Sequence, residues 1–277
     1  SARRAAMPQA VYETDELISQ YLSLHFPSSG SSEGVDPILA HENAPVHALR
    51  FPQRVAQLLV EAKPERTNGR ALDLGCAVGG ASFHLACSGF DEVVGIDLSK
   101  AFIDTAVRMR DGARVPFSVK MEGELRAEVL AKHESPAALE CRGRVSFQVG
   151  DACNLLQHEP PLGTFDGAVV ANLLCRLSKP LKMLDGLASI INRNGVVVLV
   201  TPFSWLEDFT QKEDWLGGQH DPQSGMAVHS KDRLRSEMEC RGFKFESEQQ
   251  MPLVIREHQR KYQYIISEAS TWRKVEG

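Results

Sequence analysis

The sequence predicts an α/β fold: a mostly parallel sheet with helices on both faces, preceded by a helical lead-in. Two observations predict it. Short apolar segments that end in Asp or Asn alternate with amphipathic helical ones, the pattern of strand–helix–strand crossovers. The clearest unit, Arg70 to Gly80, reads as a buried strand (Ala71, Leu72, Leu74), a turn holding Gly75 and Gly79, and the start of an apolar helix over 81–87. Glycine is required where backbone turns with positive φ or approaches a ligand closely.

The elements follow in order. The stripe Thr14, Leu17, Ile18, Tyr21, Leu22, Leu24 predicts a helix from Val11 to His25. Ser28 to Gly34 is a Ser/Gly loop, and a second helix spans Pro52 to Ala62, closed by Pro64. After the glycine turn, Glu92 to Asp97 is a strand, and Ser99 caps a helix from Lys100 to Arg110. The connection 111–144 is longer than a standard crossover and reads as a charged helix, Glu122 to Lys132, and a loop, Glu134 to Gly143. Val145 to Val149 and Phe165 to Ala171 are strands, leading to Asp151-Ala152 and Asn172. A helix opens at Lys179-Pro180 and runs to Asn192, and the turn Asn194-Gly195 leads into the apolar strand Val196 to Thr201. The long aromatic loop 207–223, with Glu213 and Trp215, lies where ligands bind, past the carboxyl end of a parallel strand. A helix from Lys231 to Arg241, capped by Ser230 and closed by Gly242, precedes strands over 243–255 and 262–267. If the first of these is parallel to the others, its basic tip carries Arg256 and Arg260 to the ligand side, as candidates to fork onto a carboxylate. Three units result: residues 1–10 as a tag or linker remnant, 11–65 as a helical cap, and 66–277 as the main domain with insertion 111–144.

Composition excludes several classes. Of 277 residues, 43% are hydrophobic and 24% charged, ordinary for a globular protein. A net charge of −5 argues against a broad nucleic-acid footprint. No apolar run is long enough to span a membrane, and residues 1–6 are basic without the apolar core of a signal peptide. The six cysteines form no Cys-x-x-Cys pair and stand at no zinc spacing with histidine, which fits reduced thiols, a cytoplasmic location and no metal.

The turn Asp73-x-Gly75-x-x-x-Gly79 has an acid ahead of its first glycine. That acid would repel a pyrophosphate but can pair with an ammonium, and the spacing is not the Gly-x-Gly-x-x-Gly of dinucleotide folds, so a dehydrogenase is disfavoured. Asp97, 24 positions on, ends the second strand, where a ribose diol is gripped. These features, with Gly150-Asp151-Ala152 and Ala171-Asn172, resemble the class I S-adenosylmethionine methyltransferases. The resemblance implies a Rossmann-like seven-stranded sheet, with Asp151 beside the adenine and Asn172 near the transferred methyl. It implies a cofactor set of Asp73, Gly75, Cys76, Ala77, Gly79, Asp97, Leu98, Asp151, Ala152 and Asn172, with Arg50 and Tyr21 reaching in from the lead-in. A nucleic-acid adenine methyltransferase would carry Asp/Asn-Pro-Pro-Tyr after the fourth strand, where this chain has Asn172-Leu173-Leu174-Cys175.

Further segments narrow the resemblance: Tyr12-Glu13-Thr14-Asp15, Arg70 to Gly79, Glu122-Gly123-Glu124-Leu125, Lys212-Glu213-x-Trp215-Leu216-Gly217-Gly218 and Trp272-Arg273. Together they resemble the mercaptohistidine N-methyltransferases of ovothiol biosynthesis, usually the C-terminal domain of 5-histidylcysteine sulfoxide synthase. The resemblance covers about 12–273 and departs at Gly79-Gly80, where such turns more often carry Gly-Arg or Gly-Ala; the second glycine should loosen the helix start yet leave its amide donors in place. It implies methyl transfer from S-adenosylmethionine to the imidazole of 5-mercaptohistidine, with S-adenosylhomocysteine as product, no metal, and the sulfoxide synthase domain as a partner. Asn172 and Arg176 are the implied catalytic pair: Asn172 selects one ring nitrogen and Arg176 pairs with the thiolate. Tyr12, Glu213, Trp215, Arg256 and Arg260 are the candidate substrate contacts. Another small-molecule N- or O-methyltransferase would share every cofactor feature, and a catalytically silent partner module would share the fold.

Overall fold

A computed structural model describes residues 12–26, 44–63, 69–112, 114–133 and 136–275. Val11, the Ser28–Gly34 loop, Pro64 and the first ten residues lie outside these. Among the described residues the α-helices are α1 Asp15–His25, α2 Phe51–Ala62, α3 Gly80–Cys87, α4 Lys100–Arg110, α5 Pro136–Cys141, α6 Pro180–Ile190 and α7 Ser230–Glu239. The strands are β1 Arg70–Leu74, β2 Glu92–Asp97, β3 Val115–Glu122, β4 Leu125–Ala131, β5 Val145–Val149, β6 Phe165–Ala171, β7 Ile191–Thr201, β8 Gln219–His220, β9 Ala227–Val228, β10 Phe243–His258 and β11 Lys261–Lys274.

Seven strands form one sheet in the order β10-β11-β7-β6-β1-β2-β5. β5, β2, β1, β6 and β7 are parallel, β11 is antiparallel to β7, and β10 is antiparallel to β11 and so parallel to the rest. This is the Rossmann-like architecture of class I methyltransferases. The central strands are apolar on both faces, as burial on both sides demands. In β7, Val196, Val198 and Val200 join the core under α2 and α3, while Val197 and Leu199 join that under α6 and α7. Pro252 sits in β10, the edge strand, where its missing N–H costs no ladder bond.

Helix ends follow local chemistry. Thr14 Oγ1 accepts from Leu17 N at 3.4 Å and caps α1, so the helix begins at Asp15, with Tyr12-Glu13 in a 3₁₀ turn before it. Ser99 Oγ accepts from Phe102 N at 3.1 Å and caps α4, as its place before the helix predicts. The Ser230 cap does not form: His229 is the N-cap of α7, and the Ser230 hydroxyl accepts from Trp205 Nε1 at 2.9 Å instead. The helix expected up to Asn192 stops at Ile190, because β7 begins at Ile191 and bulges at Asn194, whose φ is 66°. The last strand runs on past Ser267 to Lys274 and buries Trp272.

The insertion is the main correction. Residues 122–132 form no helix: β3 and β4 make an antiparallel hairpin turning at Gly123, with φ of 54°. Val115, Phe117 and Val119 alternate inward against the core beneath α1, a period-two signal that outweighs the helix-forming residues of the second strand. The expected loop 134–143 contains α5, which packs on α3. The hairpin packs on α1 and β10 and backs the lead-in. Among the described residues, no helix is long and apolar enough to cross a membrane.

Candidate active site

Short turns after β1, β2, β5 and β6 meet around a cavity of about 440 Å³, of the size that holds a small ligand. The turn after β1 is held tightly: Gly75 N and Cys76 N both donate to Ile96 O, at 2.8 and 3.0 Å. Its geometry demands glycine at position 79, which has φ of 90°; a Cβ there would stand 2.5 Å from the Phe147 ring.

Asp97 faces the cavity from the end of β2. Oδ2 accepts from Ala77 N and Oδ1 from Ser99 N, both at 2.9 Å. A carboxylate has about four acceptor positions, so one on each oxygen remains for a ligand, which suits a vicinal diol. Burial pushes the Asp97 carboxyl up to about 6, against the opposing pull of the Ser99, Ala77 and Leu98 amides. Asp151 also lines the cavity, at the end of β5, and its carboxylate accepts from Cys153 N at 2.8 Å and Asn154 Nδ2 at 2.6 Å.

The opposite end is built after β6. Asn172 takes a left-handed conformation, φ 52°, and its N–H donates to Val200 O at 2.8 Å. Its Oδ1 accepts from Ser267 Oγ at 2.8 Å, which leaves the amide nitrogen for a ligand. Arg176 Nη1 donates to Ser204 O at 2.7 Å and Cys175 O at 2.9 Å, and the guanidinium lies 5.0 Å from the Phe209 ring centre. The lead-in closes the cavity from above. Ser99 Oγ donates to Tyr12 O at 3.0 Å, Ala101 N donates to Glu13 Oε2 at 3.2 Å, and Tyr21 packs on Phe102 with ring centres 4.8 Å apart. Burial raises the Tyr12 hydroxyl pKa, opposed by the positive charge of the nearby Arg176.

Of the residues singled out by sequence, Gly75, Ala77, Asp97, Leu98, Asp151, Ala152, Asn172, Arg176, Tyr12 and Tyr21 line this cavity. The others stand apart from its wall. Asp73 is buried beneath it and accepts from Ser82 Oγ at 2.5 Å; burial pushes its carboxyl up to about 6. Cys76 and Gly79 shape the turn from behind, and Arg50 heads α2 in a left-handed conformation. Glu213 is exposed, and Trp215 stacks on Trp205 at 6.3 Å. β10 does run parallel to its neighbours, yet Arg256 meets Met121 of the hairpin, Nη2 to Sδ at 3.4 Å, and Arg260 is exposed in the β10–β11 turn. Glu13, Phe102 and Phe209 are lining residues that the sequence analysis did not single out as site residues. Phe209 lies in the loop chosen as cover; Glu13 and Phe102 carried no separate signal.

The comparisons with known proteins fall on this same region. The methyltransferase domain family matches residues 46–248, most of the chain and every strand that carries the cavity. The chain belongs to that family. No curated protein matches it significantly. Among solved structures, the methyltransferase resembles the [4+2]-cyclase SpnF with a TM-score of 0.56 at 13% identity, covering 99% of this chain and 98% of that one. It resembles the N-terminal domain of EvdMO1, described with SAH and D-fucose, with a TM-score of 0.51 at 15% identity over 99% and 100%. YcgJ from Bacillus subtilis follows, with a TM-score of 0.50 at 12% identity over 81% and 99%. At these identities the likeness shows the fold.

This is therefore an S-adenosylmethionine-dependent methyltransferase, and its cavity fits that cofactor. The Asp97 carboxylate keeps an acceptor position on each oxygen, as a ribose diol needs, and Leu98, Asp151 and Ala152 line the same cavity.

Proposed function

We propose that the acceptor is the imidazole ring of 5-mercaptohistidine, methylated on nitrogen in the last step of ovothiol A formation. The observation that carries this reading is the placement of Arg176: among the described residues it is the one cationic side chain lining the cavity, and it sits past β6 with Tyr12, Phe209 and Asn172. A flat, anionic acceptor suits that corner. Arg176 meets a thiolate or carboxylate, Tyr12 and Phe209 supply an aromatic wall with ring centres 6.3 Å apart, and Asn172 presents an amide N–H. Resemblance to the mercaptohistidine N-methyltransferases supports the same acceptor.

Bound S-adenosylmethionine supplies an electrophilic methyl group on a sulfonium. The protein's own part is positioning, which can supply roughly 7–11 kcal/mol of barrier reduction. A neutral imidazole nitrogen carries its own lone pair near pH 7, so no side chain needs to act as a strong base. The ring nitrogen that carries the lone pair forms the new N–C bond as the sulfonium S–C bond breaks, and the proton left on the other ring nitrogen passes to solvent. Asn172 selects the nitrogen by donating to the ring's thiolate and so fixing which edge faces the methyl. The N-terminal segment and Phe209 keep water from the reacting atoms. We further propose that the protein works in the cytoplasm, beside the sulfoxide synthase domain that supplies the thiol precursor.

The test is mass spectrometry of a reaction with S-adenosylmethionine and 5-mercaptohistidine, with histidine as control. A single methyl gained by the thiol compound alone bears the proposal out. Cofactor binding with no transfer to the thiol compound rules this acceptor out, and methylation of a different small molecule would place the chain with the broader N- or O-methyltransferases.

A further inference from the structure

The covering helix α1 ends in a buried histidine. His25 is 7% exposed, and its Nδ1 accepts from Gly80 N at 2.9 Å. Gly80 is the first residue of α3, directly after the cofactor turn. The second glycine of the Gly79-Gly80 pair acquires a reason here, since a Cβ at Gly80 would lie 2.8 Å from His25 Nδ1. One helix-start donor expected to stay free for a ligand is thus taken by the protein itself. Gln53 Nε2 of α2 donates to the His25 carbonyl at 3.2 Å, so the helix end is held from two sides. Upstream of His25, the same segment places Tyr12, Glu13 and Tyr21 in the cavity wall.

We propose that His25 is a positioning residue for cofactor binding: as a neutral acceptor of the Gly80 N–H it seats α1 over the cavity, and protonating its ring releases the helix and weakens the cofactor's hold. A protonated imidazole has no acceptor nitrogen and would bring a second donor against the Gly80 N–H. The surroundings offer no compensation. Tyr21 on α1 is uncharged with its ring centre 5.8 Å away, His84 on α3 turns to Gln57, and His133 at the end of the hairpin packs edge-on against Phe26 and Phe83. Asp73 faces Ser82, and Asp97 faces Ala77 and Ser99. Burial alone lowers the seated His25 to about 3 from an ordinary 6.5. The sign follows: the seated form binds fewer protons, so seating is fully present above about pH 6.5 and is lost as pH falls below it. Each pH unit below that point shifts the equilibrium about tenfold toward the released helix.

The experiment measures S-adenosylhomocysteine affinity by calorimetry at pH 7.5 and 5.5, in the wild type and in His25→Asn, whose amide oxygen accepts without titrating. Each protein is compared with its own value at pH 7.5, so titration of Asp73, Asp97, His84 and His133, common to both, cancels. The wild type should lose more affinity than His25→Asn between the two pH values, by up to about tenfold; equal losses overturn the proposal. Hydrogen exchange of the ligand-free proteins, corrected for intrinsic rates, reads the seating without the cofactor. Protection of α1 and of the Gly80 amide should drop about tenfold at pH 5.5 in the wild type and hold in His25→Asn, and unchanged protection in the wild type overturns the proposal. Wild type that binds nothing at pH 7.5 contradicts the cofactor assignment, and the exchange result then decides the role of His25 by itself.

Discussion

Replacing Asp97 by Asn separates binding from folding. In the structure each carboxylate oxygen accepts one backbone N–H, from Ser99 and Ala77 at 2.9 Å, and keeps one position for the ligand. Hydrogen bonds to a charged acceptor contribute about 1.5–3 kcal/mol each. Asparagine loses one ligand bond and weakens the other from charged to neutral, which together cost about 2–4.5 kcal/mol, or roughly 30- to 2,000-fold in affinity. Folding responds differently. The asparagine turns its NH₂ toward one of the two backbone N–H groups, an unpaired donor that costs about 1–3 kcal/mol. The cost of holding a charge in that enclosed place, visible in a carboxyl pushed up to about 6, disappears at the same time. Calorimetric titration with S-adenosylhomocysteine, beside a thermal melt of the ligand-free protein, reads the two effects. At pH 8, affinity should fall about thirtyfold or more while the melting temperature stays within a few degrees. Affinity within tenfold of wild type would refute the reasoning, as would a collapse of the ligand-free fold.

Asp73→Asn should behave in the opposite way. Asp73 is 3% exposed and its carboxyl is raised from 3.8 to about 6 by burial, so its stabilising share is present below pH 3.8 and is lost as pH rises through 6. The variant, which still accepts from Ser82, should be more stable than wild type at pH 8, by up to about 3 kcal/mol, with little gain at pH 4, as thermal melts at the two pH values will show. Gly79→Ala combines a left-handed backbone with a Cβ 2.5 Å from Phe147; the two costs together, about 2–5 kcal/mol, should lower the melting temperature by several degrees and weaken cofactor binding. Leu59→Ala empties a fully buried site against Gly167 and should cost about 2–5 kcal/mol in denaturant unfolding with cofactor affinity kept. Arg176→Lys keeps the charge but loses the planar guanidinium whose Nη1 holds Ser204 O and Cys175 O; steady-state kinetics should show a raised acceptor KM, while calorimetry shows cofactor affinity changed less than acceptor KM.

The central sheet was legible because its signals are local. Leu72, Leu74, Val94 and Ile96 alternate with residues of the other core, and Asp97, Asp151 and Asn172 each stand at or just past the end of their own strand. The hairpin was misread because Glu122 to Lys132 is rich in helix formers, while the residues that override them, Val115, Phe117 and Val119, lie on the preceding strand and gain their meaning from pairing. Ser230 was a sound cap by its position, but a tryptophan 25 residues earlier in the chain claims its hydroxyl. Tyr12, Asn172 and Arg176 line the cavity and Arg256 and Arg260 do not, since which tip reaches it depends on how far β10 runs past it toward the hairpin. His25 had no local signal: its partner is 55 residues away, and only the second glycine hinted that something needed the space.

A crystal structure of the protein grown with S-adenosylhomocysteine would put the site itself to the test. The ligand should lie in the cavity after β1, β2, β5 and β6, with its ribose hydroxyls on the two open positions of Asp97 and its sulfur toward Asn172 and Arg176. A ligand bound elsewhere, or a ribose that leaves Asp97 untouched, would contradict the site described above.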